Sequence, residues 1–267
     1  MMKRLMLLLL ILLGLAAPSS PLLAAAIPQA SERVLTAASK NRIEIGLFYK
    51  GDVVHLFGAN PVPGSDLIIR LTAEKDEELK LSVKGTFGPF WMTVRQYGVT
   101  GIPFVYKIHA SRPIKEIISE ATARELGLGF PAIKDRMQMH LIRGEASPDD
   151  AELVFQGILK IKKDANLYNI EEGPTRLAIT EGKLFSHYFR FPPAATEGVY
   201  LVETFSFQNG ELVGYGKDEI TIRKVGLEAW LTHASQAYPL TYGIGAVLFA
   251  VGAGLLVGMI FKKGGHH

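Results

Sequence analysis

The sequence predicts a mainly β protein: an Ig-like β-sandwich body with a two-helix insertion, followed by one C-terminal transmembrane helix. Three observations predict it. Short alternating or apolar runs separated by turn residues fill 42–110 and 184–224. The period switches to three and four across 114–165. Leu240 to Phe261 then runs 22 residues without a charge.

Taken in order, Met1 to Arg4 and Leu5 to Ala17 read as the basic and apolar parts of an export signal. Ala24-Ala25-Ala26 supplies the small-residue cleavage pattern, so 1–26 is expected to be a signal peptide cut before Ile27, with a retained N-terminal anchor as the alternative. A 13-residue apolar core is about 20 Å as a helix, short for a hydrocarbon layer of roughly 30 Å. The stretch 27–111 is then expected to hold sandwich strands. Ile43–Tyr49 and Asp52–Gly58 flank Lys50-Gly51, and Pro61-Val62-Pro63-Gly64 breaks the pattern before Asp66–Ala73. Leu79–Val83, Phe90–Tyr97 and Phe104–Ala110 complete six strands at a spacing that suits a sandwich. The apolar run Phe87-Gly88-Pro89-Phe90-Trp91 is expected in the core, since large apolar residues are usually buried; an exposed contact patch is the alternative.

The stretch 112–168 is the helical insertion. Ile114, Ile117, Ile118 and Ala121 mark a first amphipathic helix that stops at Gly127. Ser147-Pro148-Asp149-Asp150 opens a second, with Asp149 and Asp150 placed for capping and for the helix dipole. Its apolar face is Ala151, Val154, Phe155, Ile158, Ile161 and Ala165. Strands return over 169–225, where Asn209-Gly210 is a strong hairpin signal. These strands either complete the first sheets or build a second small Ig-like lobe.

After a juxtamembrane segment, 226–239, the run 240–261 is about 33 Å long as a helix, enough to span. Trp230, Tyr238 and Tyr242 stand where aromatic rings favour the interface, and Lys262 and Lys263 where positive charge favours the cytoplasm. The expected topology is single-pass, with the body periplasmic and the tail 262–267 cytoplasmic, in a bacterial inner membrane. Ala246, Ala250, Gly254 and Gly258 fall four apart on one ridge, which is either a close helix–helix contact or a generic Gly/Ala-rich span. Gly264-Gly265-His266-His267 reads as a linker and tag remnant rather than a metal site.

Composition excludes several function classes. The chain has no cysteine, so disulfides, thiolate metal sites and cysteine nucleophiles are ruled out. The net charge of +3 counts 29 basic residues; removing Lys3, Arg4, Lys262 and Lys263 leaves 25 against 26 acids, a body near −1. Such a body has no electrostatic footprint for nucleic acid. H-E-x-x-H, G-x-S-x-G and Walker patterns are absent, so neither a cofactor nor an enzyme is expected.

Met137, Met139 and His140 are the metal candidates, since thioether and imidazole suit Cu(I). In a strand, however, Met137 and Met139 share a face and His140 points away, and paired methionines also pack cores. Copper or small-ligand binding is therefore the alternative to an interaction role. His55, His109 and His187 stand in separate strand-like runs, and only the tertiary fold decides whether they meet.

Many short segments carry a resemblance. They include Asn166-Leu167-Tyr168, Gly182-Lys183-Leu184-Phe185, Phe189-Arg190-Phe191-Pro192, Gly198-Val199-Tyr200 and Lys224-Val225-Gly226-Leu227-Glu228-Ala229. Nearer the N-terminus are Val54-His55-Leu56-Phe57-Gly58-Ala59, the Trp91 segment and Ala110-Ser111-Arg112-Pro113. In this order they resemble the proteobacterial transmembrane-protein family of the Alph_Pro_TM type. The resemblance implies an inner-membrane protein with a periplasmic domain and no catalytic residues. It also implies an accessory role beside a membrane-protein partner, because members are often encoded near transporters of the sulfite-exporter type.

Overall fold

The computed structural model describes residues 30–174 and 177–262; the signal expected at 1–26 and the tail from Lys263 onward lie outside the described residues. The described strands are β1 (Glu32–Arg33), β2 (Leu35–Ala38), β3 (Arg42–Ile45), β4 (Asp52–Ala59), β5 (Asp66–Ala73), β6 (Asp76–Phe87), β7 (Phe90–Pro103), β8 (Tyr106–Ala110), β9 (Gln138–Arg143), β10 (Tyr168–Glu172), β11 (Ala178–Thr180), β12 (Leu184–Phe191), β13 (Gly198–Gln208) and β14 (Glu211–Lys224). The described helices are α1 (Ile114–Ile117), α2 (Glu120–Glu125), α3 (Phe130–Arg136), α4 (Asp150–Asp164), α5 (Gly226–Ala237) and α6 (Pro239–Lys262). The protein is mostly β, in several sheets, with one C-terminal helix long and apolar enough to span a membrane.

Two sheets face one another. The larger runs β1-β14-β13-β5-β8-β10, with β3 also on β14; the smaller runs β11-β12-β4-β2. Phe191 of β12 meets Tyr200 of β13 edge-on, with ring centroids 5.6 Å apart across the gap. Val54, Leu56, Phe185, Phe189 and Val202 fill the rest of the interior. The smaller sheet sets four strands against the larger one, which is built on the β13–β14 hairpin. β13 and β14 sit inside the large sheet and β12 inside the small one, so the 169–225 segment completes the first sandwich and forms no second lobe.

The third sheet, β6-β7-β9, continues the β5–β8 pair outward as a long hairpin. Its tip corrects the core expectation for the Phe87–Trp91 run: Phe90 and Trp91 are exposed beside Gly88, whose φ of 58° allows the tight reversal. Replacing Phe90 and Trp91 by serine is expected to shift global stability by less than ~0.5 kcal/mol in a denaturant titration, as for ordinary surface substitutions. A core role would cost about 3–5 kcal/mol.

The stretch 112–168 is also corrected, from two helices to four helical pieces and a strand. Ile118 is extended (φ −140°) and Ser119 caps the next turn through Thr122 N–H, which splits the first helix. Gly129 (φ 107°) and Pro131 start α3. β9 is a mostly exposed strand beside β7 and lacked the alternation that announces a strand. In α4 the buried stripe is Val154, Phe155, Ile158, Leu159 and Lys162, while Ile161 is exposed.

The capping role expected of Asp149 and Asp150 is corrected as well. Asp149 makes no side-chain cap bond. Asp150 is buried, accepts from Ser147 N–H at 2.9 Å and from the Tyr97 hydroxyl, and pairs with Arg95 at 2.8 Å. This latch ties α4 to β7. Burial alone raises the Asp150 carboxyl, but the Tyr97, Ser147 and Arg95 donors together hold it below the ordinary aspartate value.

Candidate functional site: a basic cleft at the sandwich edge

The large sheet is wider than the small one, and β8 and β10 overhang β12. β11 pairs with β12 over Leu184–Ser186, and among the described residues no strand pairs with the edge Tyr188–Phe191 on that side. Between that edge and the overhang lies an open cleft of about 490 Å³.

Strand alternation decides what enters it. In β8 every residue is buried. Tyr106 packs toward the helices, its hydroxyl donating to Gly127 O, so Lys107 and His109 turn to the opposite face and into the cleft. β10 pairs parallel to β8, bringing Asn169 and Glu171 beside them, and β12 sends His187 inward with Phe185, Phe189 and Phe191. Asn166, Tyr188, Arg190 and Val53 make the rim.

Lys107 is the unusual residue. It is 4% exposed, and its Nζ donates to the Arg190 carbonyl at 2.9 Å, an edge group that a neighbouring strand would otherwise use. Burial, joined by the Arg190 charge, pushes its ammonium below the ordinary lysine value, while Glu171 pulls the other way. A lysine with its charge desolvated in this way is poised for an anionic group.

His109 and His187 come from opposite sheets and lie 3.9 Å apart between centroids with their rings tilted by 38°, and Phe189 stands edge-on to both. The Glu171 carboxylate lies 3.6 Å from His109 Nδ1. The fold therefore brings together two of the three histidines that sequence reasoning left scattered, with a carboxylate beside them. His55 stays apart on the outer face, stacked on Tyr188 at 4.3 Å. The described lining holds no serine, threonine or cysteine that could serve as a nucleophile next to the histidines.

This arrangement was hard to foresee. Inward alternation in β12 flags His187, but β8 is buried on both faces, so no period separates Lys107 and His109 from its core residues.

The metal candidates lie elsewhere. Met137 and Met139 pack half-buried against the core, whereas His140 is exposed on the other face of β9, its ring over Gly98. Among the described residues no group of three or more His, Asp or Glu side chains could hold a metal ion. Protein purified after copper loading under reducing conditions is expected to hold no stoichiometric copper by elemental analysis; one retained equivalent, lost with Met137→Leu, would contradict this.

Below the sandwich, β14 passes through α5 into α6. Pro239–Met259 is 21 residues long, with none of its apolar window buried. Ala246, Ala250, Gly254 and Gly258 lie exposed on α6, and added methyls at Gly254 or Gly258 would meet nothing within 4 Å. A family model described as "Putative transmembrane protein (Alph_Pro_TM)" matches residues 33–263. The chain belongs to the Alph_Pro_TM family. The match covers both sheets, the cleft and the membrane helix, so cleft and anchor belong to one family unit. No curated protein and no solved structure matches this Alph_Pro_TM chain. Family and helix together make it a membrane protein.

Proposed function

We propose that this Alph_Pro_TM chain is a non-enzymatic, membrane-anchored accessory protein whose cleft receives a small oxyanion, or the anionic end of a larger ligand, for a membrane-protein partner. In this reading α6 crosses a bacterial inner membrane, the sandwich is periplasmic, and the C-terminus is cytoplasmic. The observation that carries it is Lys107: a buried ammonium that donates to one edge carbonyl and feels the Glu171 charge, at the floor of an open cleft also lined by His109, His187, Asn169 and Arg190. Desolvating a lysine costs stability, and a recurring compensation for such a cost is an anion delivered to it. The resemblance, which implies genes near sulfite-exporter-type transporters, is in keeping with this ligand class and with a transporter as the partner. The ridge of Ala246, Ala250, Gly254 and Gly258 is where a partner's helix would come closest.

Thermal unfolding of the full-length protein in mild detergent tests the ligand. Sulfite, sulfate, phosphate or methanesulfonate is expected to raise the midpoint saturably above a chloride control of equal ionic strength. Flat midpoints for all four would remove the anion reading. Crosslinking in native membranes tests the partner, with a polytopic protein expected on the crosslinked band and repeated recovery of an uncrosslinked monomer counting against it.

A further inference from the structure

The turn between β3 and β4 carries residues that a turn does not ordinarily carry. Tyr49 N–H donates to Gly46 O at 2.9 Å and closes a four-residue turn with Leu47 and Phe48 at its centre. Such positions favour Gly, Pro, Asn, Asp and Ser, each for a conformational reason. Here two large apolar side chains are 63% and 86% exposed. Neither is needed for the reversal, and both are costly in water.

The location of the turn says what covers them. β3 pairs with the last residues of β14, Ile45 opposite Lys224, and Val225 N–H donates to Ile45 O at 2.9 Å. Gly46 therefore lies beside the residue that opens α5, and a methyl on it would sit 3.8 Å from the Val225 side chain. α5 itself buries none of its residues and exposes Leu227 and Trp230; only Tyr238 separates it from α6. The Leu47–Phe48 pair thus emerges at the one end of the large sheet from which the chain leaves for the membrane.

We propose that Leu47 and Phe48, with Leu227 and Trp230 of α5, form a lipid-facing seat that docks the sandwich onto the headgroup–acyl boundary of the membrane that α6 crosses. Tyr49 is the inner half of the device: its ring is half-buried under the turn, its hydroxyl pushed up to about 12 by burial and by the charge of Asp52, so it anchors the turn while its two predecessors point out. A helix with an exposed apolar side and a Trp lies in the interface plane, and a second insertion beside it fixes the body against swinging about the linker. The seat places the cleft at a set height, because β10 starts and β12 ends at this same end of the sandwich. It rests on the membrane crossing and not on what the cleft binds.

The absence of cysteine makes the test direct. Full-length protein carrying Leu47→Cys is labelled with an environment-sensitive fluorophore and reconstituted into phosphatidylcholine vesicles containing spin-labelled lipid. Labels at Trp230→Cys and at Glu211→Cys, which lies at the opposite end of β14, give the two reference states. The label at 47 is expected to show blue-shifted emission, quenching by lipid as strong as at 230, and loss of quenching by aqueous iodide. Iodide access and lipid quenching equal to those at 211 would overturn the seat. A blue shift that disappears on dilution with protein-free lipid would overturn it too, in favour of contact between copies.

Discussion

Asp150→Ala is expected to cost about 3–4 kcal/mol, as removing one member of a buried, hydrogen-bonded ion pair generally does. The carboxylate serves three donors at once: the Tyr97 hydroxyl, Ser147 N–H and Arg95. Its loss leaves the Tyr97 hydroxyl buried and separates the start of α4 from β7, the central strand of the β6-β7-β9 sheet. Asp150→Asn should cost less, because an amide oxygen still accepts from Tyr97. The pH dependence has a definite sign. Since the folded carboxyl is lowered, its contribution is fully present above the ordinary aspartate value near ~4 and is lost as pH falls through the lower folded value. Denaturant midpoints of Asp150→Ala and the native chain should therefore converge only in acid. A gap that persists unchanged at the lowest pH would mean that shape, not charge, makes the latch.

Lys107→Met is expected to have the opposite sign. Replacing a buried ammonium by an apolar side chain of similar length removes a desolvation cost, and stabilisation by about 1–3 kcal/mol follows when the site tolerates the swap. Part of this is offset by the Arg190 carbonyl, which loses its donor but sits on a strand edge next to the open cleft. The same substitution should abolish the rise of the unfolding midpoint with added oxyanion, a rise worth about 2.7 kcal/mol at a hundred times Kd. Since the lysine is depressed in the folded state, the native chain should gain stability as pH rises from that depressed value toward the ordinary lysine value near ~10.4, and Lys107→Met should not. A stabilised variant that has lost ligand response would separate binding from folding. A destabilised one would make Lys107 a structural hydrogen-bond donor and leave the cleft without its floor.

Much of the architecture was legible because local patterns were clean. Asn209-Gly210 fixed the β13–β14 hairpin, and Asn209 does take a positive φ of 52° there. The uncharged run after Pro239 read as a helix long enough to span rather than a core helix, and it is a helix of that length with none of its apolar window buried. The order of strands in the sheets was harder to see, since the common sandwich markers are a core tryptophan on a disulfide. This chain has no cysteine, and Trp91 and Trp230 are both exposed. The insertion misled because Ile114, Ile117, Ile118 and Ala121 keep helical spacing across a break made by backbone geometry at Ile118.

The site was less legible than the fold, for a physical reason. His109 and His187 are 78 positions apart in sequence and on different sheets, so only the packing of one sheet on the other brings them together. Nothing in the sequence around Lys107 sets it apart from an ordinary strand lysine, yet it is buried in the fold. Chemistry-bearing names drew attention to Met137, Met139 and His140 instead, where alternation had already sent the ligands to opposite faces.

The central claim is that one helix crosses lipid and leaves the sandwich on the export side. Single cysteines answer it in intact spheroplasts, using Glu211→Cys on the β13–β14 turn and a membrane-impermeant maleimide. The claim predicts labelling before permeabilisation and retention of the labelled chain in membranes through a carbonate wash. Labelling only after the membrane is opened, or release of the chain into the carbonate supernatant, would contradict it.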